Sequence, residues 1–307
     1  MNANTSAPKA VDALMDGLVD YAGLFPPASE SMRAAVDSYG SYRAGPDARA
    51  LGRFIVPFAR LTEFEEQARA LLPRGEAAEP WRLSVLVGAE TRVAAEQMPK
   101  FNCHHWSGSA DGHALIDAVE LKAATVEEIE IQDREIPKFF QRYFEIPLGD
   151  NVDALVKAIA KVGARAKVRT GGTEQNAFPT SRAILSFLVA CEREKVPFKA
   201  TAGLHHPLRG SYRLTYEPSS PSGTMYGFLN VFVAAALLHK GESESTVLKA
   251  LEESDAAAFE FTDDAIAWRK HRVDASELRV IRTSFAISFG SCSFREPVDE
   301  LARIVSR

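Results

Sequence analysis

Along the 307 residues the apolar positions keep switching between two spacings. Short runs alternate apolar and polar residues, as at 116–122 and 143–148, and longer stretches place apolar residues three and four apart, as at 152–162, where Val152, Leu155, Val156 and Ile159 share one side. Alternation marks a strand, and the longer spacing marks an amphipathic helix. Eight strands are predicted on this basis, at 19–23, 53–58, 82–87, 116–122, 143–148, 165–169, 197–202 and 283–289. Helices are predicted before and between them at 11–18, 32–42, 61–72, 91–98, 125–133, 152–162 and 179–195, with a last one at 297–305. Eight strands alternating with helices favour an α/β chain folded as a (β/α)8 TIM-type barrel; a doubly wound open sheet is the alternative.

The rhythm breaks after the seventh strand. Residues 207–226 hold Pro, Ser and Gly with little periodicity and read as a long loop, followed by a strongly apolar helix at 227–240. Residues 242–279 read as a helical insertion, with helices at 246–253 and 262–271, before the eighth strand restores the pattern at 280–289. Residues 1–10 form a polar leader, and 1–307 is read as a single barrel domain. With 46% hydrophobic and 25% charged residues and a net charge of -5, the chain has the composition of a globular protein and no basic footprint for nucleic acid. The apolar run 228–238 is too short to span a bilayer, so no membrane association is expected and a cytoplasmic location is the default. Cys103, Cys191 and Cys292 lie far apart, and no four-ligand zinc spacing is visible, so neither a disulfide framework, a metal nor a cofactor is expected. A homo-oligomer stays compatible with all of this.

Polar residues on the wrong face of strands carry the chemistry. Barrel strands pack their outer faces on helices, so the apolar parity of each strand identifies the inward residues. Val119 and Leu121 outward leave Glu120 and Lys122 inside; Phe144, Ile146 and Leu148 outward leave Glu145. Ala166 and Val168 outward leave Lys167 and Arg169, and Phe198, Ala200 and Ala202 outward leave Lys199 and Thr201. On these residues two carboxylates face four cations, a surplus that suits a small anionic substrate or a lysine held partly neutral as a nucleophile. A buried ion-pair network that only fixes the fold would use the same residues.

Glycine turns end the same strands, Thr170-Gly171 the sixth, Gly203 with His205-His206 the seventh and Gly290-Ser291 the eighth, and these residues with Arg169 and Thr201 are the candidate substrate-binding residues. The backbone N–H groups of Gly290-Ser291, ahead of a helix, suit an anion. Loops seven and eight are neighbours in a barrel, so Gly203, His205 and Ser291 are expected to border one cavity. His205 and His206 are also candidate metal ligands, although adjacent strand residues face opposite ways. Cys292 reads as a small packed residue without a basic partner, and His104-His105 as loop residues.

Lys167-Val168-Arg169-Thr170-Gly171, Lys199-Ala200-Thr201-Ala202-Gly203 and Gly290-Ser291-Cys292-Ser293 resemble, in order and strand assignment, the strand-end motifs of the deoxyribose-phosphate aldolase type of class I aldolase. That (β/α)8 family has K-x-S-T-G, K-A-S-G-G and a G-x-S-S phosphate turn. The resemblance implies Lys167 as the Schiff-base nucleophile, Lys199 as the neighbour that lowers its pKa, and Glu120 in place of an aspartate. Glu145 completes the candidate catalytic set, and imine chemistry then needs the carboxylates held by Arg169 or Lys122 rather than by Lys167. Arg169 replaces a small residue of the family motif, and some 80 residues separate strands seven and eight where the family is compact. Over more of its length the chain is similar to bacterial barrel proteins of unassigned function that share its D-Y-A-G-L-F-P-P-A, K-x-R-T-G-G, K-A-T-A-G-L-H-H-P and F-G-S-C-S-F elements. The expected activity is that of an aldolase-like lyase on a small anionic carbonyl compound. The alternatives are a metal-assisted lyase or hydrolase using Glu120, Glu145 and a histidine, or a non-catalytic metabolite-binding barrel.

Overall fold

The computed structural model describes residues 7–106 and 109–307. The strands β1 (Val19–Tyr21), β2 (Leu51–Pro57), β3 (Trp81–Leu86), β4 (Ala114–Lys122), β5 (Gln141–Glu145), β6 (Arg165–Arg169) and β7 (Phe198–Thr201) pair in sequence order, all parallel. The chain then makes an antiparallel hairpin, β8 (Gly210–Arg213) and β9 (Ser222–Met225), and a small antiparallel sheet of β10 (Phe259–Phe261), β11 (Ala265–Trp268) and β12 (His271–Asp274). Finally β13 (Ala286–Ser291) inserts between β7 and β1 and closes an eight-stranded barrel. The α/β barrel expected from the alternation is therefore the fold. No helix of the described residues is long and apolar enough to cross a membrane.

Outward parity builds the shell. Ala166, Val168, Phe198 and Ala200 are completely buried beneath the surrounding helices, and each large side chain so covered contributes about 1.5–3 kcal/mol. The β6 to β7 crossover is started by the Thr180 side chain, which accepts from Ala183 N, and helix Ser181–Glu194 is stopped by Lys195 in the left-handed region at φ 56°. A reciprocal capping box of Thr125 and Glu128 starts helix Val126–Glu135. Register then sets one level across three strands, with Glu145 beside Lys167 and Lys167 beside Lys199.

The insertion differs from its expected form. The loop at 207–226 contains the β8–β9 hairpin, and the helix expected at 262–271 is instead β11, a turn and β12. Arg269 sits at that turn with φ 54°, which a continuing helix excludes. The helical insertion of 242–279 is thus part helix, Glu244–Glu252, and part sheet. Residues 275–284 form a helix begun by a capping box of Asp274 and Glu277, so the last strand starts at Ala286 rather than near 280. The apolar pair Val280-Ile281 mimics a strand, but Val280 is exposed and Ile281 buried, as helix faces require. Helix Thr91–His104 runs on through Pro99, so His104 is helical and His105, buried at its end, bonds Gly112 O and Glu65. The fifth strand is Gln141–Glu145, earlier than 143–148, and the first helix is Lys9–Met15 rather than 11–18. Most of the 1–10 leader lies outside the described residues.

Candidate active site

Alternation along β4 to β7 sends Glu120, Glu145, Lys167 and Lys199 into the barrel, and β1 adds Asp20, which is completely buried. Lys199 Nζ donates to Asp20 Oδ2 at 2.6 Å and to Glu120 Oε1 at 2.7 Å. Ser288 Oγ and Arg53 N donate to Asp20, each at 2.8 Å, and Ser84 Oγ donates to Glu120 Oε1 at 2.6 Å. The Lys199 ammonium also lies 5.4 Å from the centroid of the Tyr143 ring. Burial opposes its charge, but the Asp20 and Glu120 carboxylates outweigh burial and hold its pKa above the usual lysine range. Lys199 is a locked cation.

Lys167 is placed differently. Its Nζ lies 2.6 Å from Glu120 Oε2 and 2.7 Å from Glu145 Oε2. The Glu120 contact is one of charge: Oε2 has no aligned hydrogen bond. Burial opposes ionisation of Glu120, yet the two ammoniums flanking it hold its carboxyl well below the usual range. The condition that the carboxylates be held by Arg169 or Lys122 is therefore not met. Both touch Lys167, and Arg169 only approaches Glu145, at 3.9 Å.

A cavity of about 500 Å³ opens above this cluster. Buried Glu120, Glu145 and Lys167 form its floor and exposed Lys122 and Arg169 its rim, and Phe25, Pro26 and Tyr212 to Tyr216 from the hairpin line it as well. Gly203, Thr201, His205, His206 and Gly290 also line it. Lys199 does not; it sits beneath Glu120, completely buried. Gly203 has φ +73°, and its backbone packs against that of Gly171 so closely that a side chain on either would clash, which explains glycine at both turns.

Three expected substrate contacts lie elsewhere. Thr170 Oγ1 bonds Ala202 O at 2.5 Å and Gly171 packs on the Phe178 ring, so both tie loops six and seven together behind the cavity wall. Ser291 Oγ donates to Ser293 O at 2.6 Å and is buried, while its neighbours Gly290 and Cys292 line the cavity. The anion turn is altered too. Ser293 Oγ accepts from Glu296 N, and the Glu296 carboxylate stands at the cavity beside that turn. His205 Nδ1 bonds Glu296 at 2.9 Å, and His206 bonds Glu300 and stacks on Tyr212. Among the described residues no group of three His, Cys, Asp or Glu side chains could hold a metal ion.

The charge count also changes. At the level of the cavity floor Asp20 makes three buried carboxylates against two buried lysines, and the positive surplus sits at the rim on exposed Lys122, Arg169 and Arg213. Asp20 was readable by the same parity test, since buried Val19 and Tyr21 flank it as Val119 and Leu121 flank Glu120. Ser84 and Ser288 were readable as polar residues on inward positions of apolar strands. Cys292 has a basic partner after all: the adjoining of loops seven and eight brings His205, 87 positions away in the chain, against its sulfur.

The chain matches no known protein-family profile, and no curated protein matches it significantly.

Proposed function

We propose that the protein is an aldolase-like lyase that acts on a small anionic carbonyl compound through an imine on Lys167. One observation carries the reading: Lys167 presents a buried ammonium to the cavity floor with a carboxylate oxygen at 2.6 Å and another at 2.7 Å, while Lys199 is sealed below. Glu145, which also borders the cavity, accepts a proton from the Lys167 ammonium. The neutral amine adds to the carbonyl carbon, a proton passes from the new ammonium nitrogen to the alkoxide oxygen, and Glu145 returns its proton to the resulting hydroxyl as water leaves, giving the protonated imine. The imine withdraws electrons from the adjacent carbon, so a C–H or C–C bond there breaks with the electron pair retained as an enamine. Glu120 stays ionised throughout, pinned by Lys199, and keeps the iminium charge compensated. Arg169 and Lys122 at the rim suit a carboxylate or phosphate on the substrate. The aldolase resemblance of the three strand-end motifs agrees in assigning the nucleophile to the sixth strand, and the enzyme is proposed to work in the cytoplasm.

Imine formation acidifies the hydrogens beside the carbonyl, so proton NMR in D2O tests the reading. Incubated with a panel of small 2-oxo acids and phosphorylated ketones, the protein is expected to exchange the adjacent hydrogens of at least one for deuterium, and Lys167→Met to abolish the exchange. Exchange that survives in Lys167→Met, or is absent across the panel, contradicts it.

A further inference from the structure

The same cavity holds a second group of side chains that the imine chemistry does not use. Cys292, just past β13, places Sγ 3.8 Å from His205 Nε2 and 3.9 Å from Nδ1. His205 Nδ1 bonds Glu296 Oε2 at 2.9 Å, and the Tyr216 hydroxyl lies 3.6 Å from Sγ and donates to Glu296 Oε2 at 3.0 Å. A thiol, an imidazole against it and a carboxylate orienting the imidazole are the three parts of an activated nucleophile. They arrive from separate elements: the loop after β7, the β8–β9 turn, the loop after β13 and helix Arg295–Val305. All four side chains line the cavity. A sulfur that only filled space would be surrounded by apolar groups.

We propose that Cys292, His205 and Glu296 form a second reactive centre in this cavity, at which the Cys292 sulfur adds reversibly to the carbonyl carbon of an aldehyde. The thiolate forms the C–S bond, the carbonyl π electrons move to oxygen, and His205 gives that oxygen its ring proton. The product is a hemithioacetal, nothing is oxidised or reduced, and the reverse step returns the proton to His205.

The groups facing the sulfur agree with these roles. Burial opposes a charge on His205, but hydrogen bonding to Cys292 and Glu296 outweighs it and pushes the imidazole up to about 10, so it is cationic at neutral pH. Burial also opposes ionisation of Glu296, yet His205, Tyr216 and the more distant His206 hold its carboxyl below the usual range. Burial, Cys292 and Glu296 all raise the Tyr216 hydroxyl, which therefore stays protonated as a donor.

The other two cysteines are internal references, because Cys103 is exposed and Cys191 is buried with its thiol pushed up by burial. Iodoacetamide labelling of the full chain at pH 7, read by peptide mass spectrometry, is expected to modify Cys292 about tenfold faster than Cys103. His205→Gln should remove that advantage and Glu296→Gln reduce it. With glyoxylate carrying 13C at its aldehyde carbon, the protein should show an S,O-acetal carbon resonance that is absent in Cys292→Ser and retained in Lys167→Ala. Borohydride fixes an imine on Lys167 as a stable secondary amine, whereas the reversible Cys292 adduct is lost as free glyoxylate is reduced, so the two centres are read separately. Cys292 labelling no faster than Cys103, or an S,O-acetal resonance absent from the folded protein, overturns the proposal.

Discussion

Charged side chains occupy the barrel interior at two levels, with different partners and different access. At the lower level Arg53 grips Asp117 with Nε and Nη2 at 2.6 and 2.9 Å, and Nη2 also reaches Gln141 Oε1 at 3.1 Å. Arg165 Nη1 donates to the same Gln141 oxygen and to the Tyr143 hydroxyl, and Arg82 closes on Asp117 from the barrel end. Asp117 reaches this layer because it is the extra residue of a bulge: Leu83 and Ser84 on β3 face Ile116 and Ala118 on β4. None of these groups lines the cavity. At the upper level the cations are lysines, and one of them, Lys167, meets the cavity with a proton acceptor on either side. Arginine keeps its proton in any protein environment, whereas lysine can release one and become a nucleophile. Buried charge alone therefore does not mark a site. Access and the identity of the cation do.

The largest effect expected is at Lys199. Lys199→Met leaves Asp20 and Glu120 buried without their shared cation and should cost about 3–5 kcal/mol in a urea titration. A loss near zero would mean that the upper level contributes nothing to holding the barrel together. Arg53→Met should cost about 3 kcal/mol by the same measurement, yet leave deuterium exchange at the substrate intact. If Arg53→Met stopped exchange as Lys167→Met does, the two levels would not be separate in function.

Acid stability sharpens the contrast further. Glu120 has a folded-state pKa well below its ordinary 4.5, and Asp117 is also lowered, against burial, by Arg53. A depressed folded-state pKa contributes stability above the unfolded value and loses it as pH falls below that value toward the folded one. Stability should thus fall below pH 4.5, and Glu120→Gln, already lacking the ionised carboxylate, should flatten that fall relative to its own value at pH 7. An unchanged acid slope would contradict the charge assignment of the upper level. The smallest effect is at the rim. Arg169 is half exposed, so Arg169→Gln should change stability by less than about 0.5 kcal/mol and weaken binding of an anionic carbonyl compound about threefold.

Parity made Glu120, Glu145, Lys167 and Lys199 legible because their strands carry unbroken apolar outer faces of at least two residues. It failed where the local signal is shifted. Asp20, between buried Val19 and Tyr21, passes the same test, whereas the β4 bulge put Asp117 into the interior as well as Glu120. In the insertion the expected helix ignored the i, i+2 spacing of buried Ile266 and Trp268, which fits strand β11 and sets the two apart on a helix, and Arg269 in the left-handed region ends that strand in a turn. The contact of Cys292 with His205 has no local pattern; it follows from the barrel order that sets loops seven and eight side by side.

Reductive trapping tests the difference between the two lysines most directly. Borohydride added to the protein with the panel of small anionic ketones and aldehydes should fix a covalent adduct, and peptide mapping should place it on Lys167, with none in Lys167→Arg. Lys199, sealed under Glu120, should stay unmodified. An adduct on Lys199, or none on Lys167 with any member of the panel, would contradict the assignment of the reactive lysine to the sixth strand.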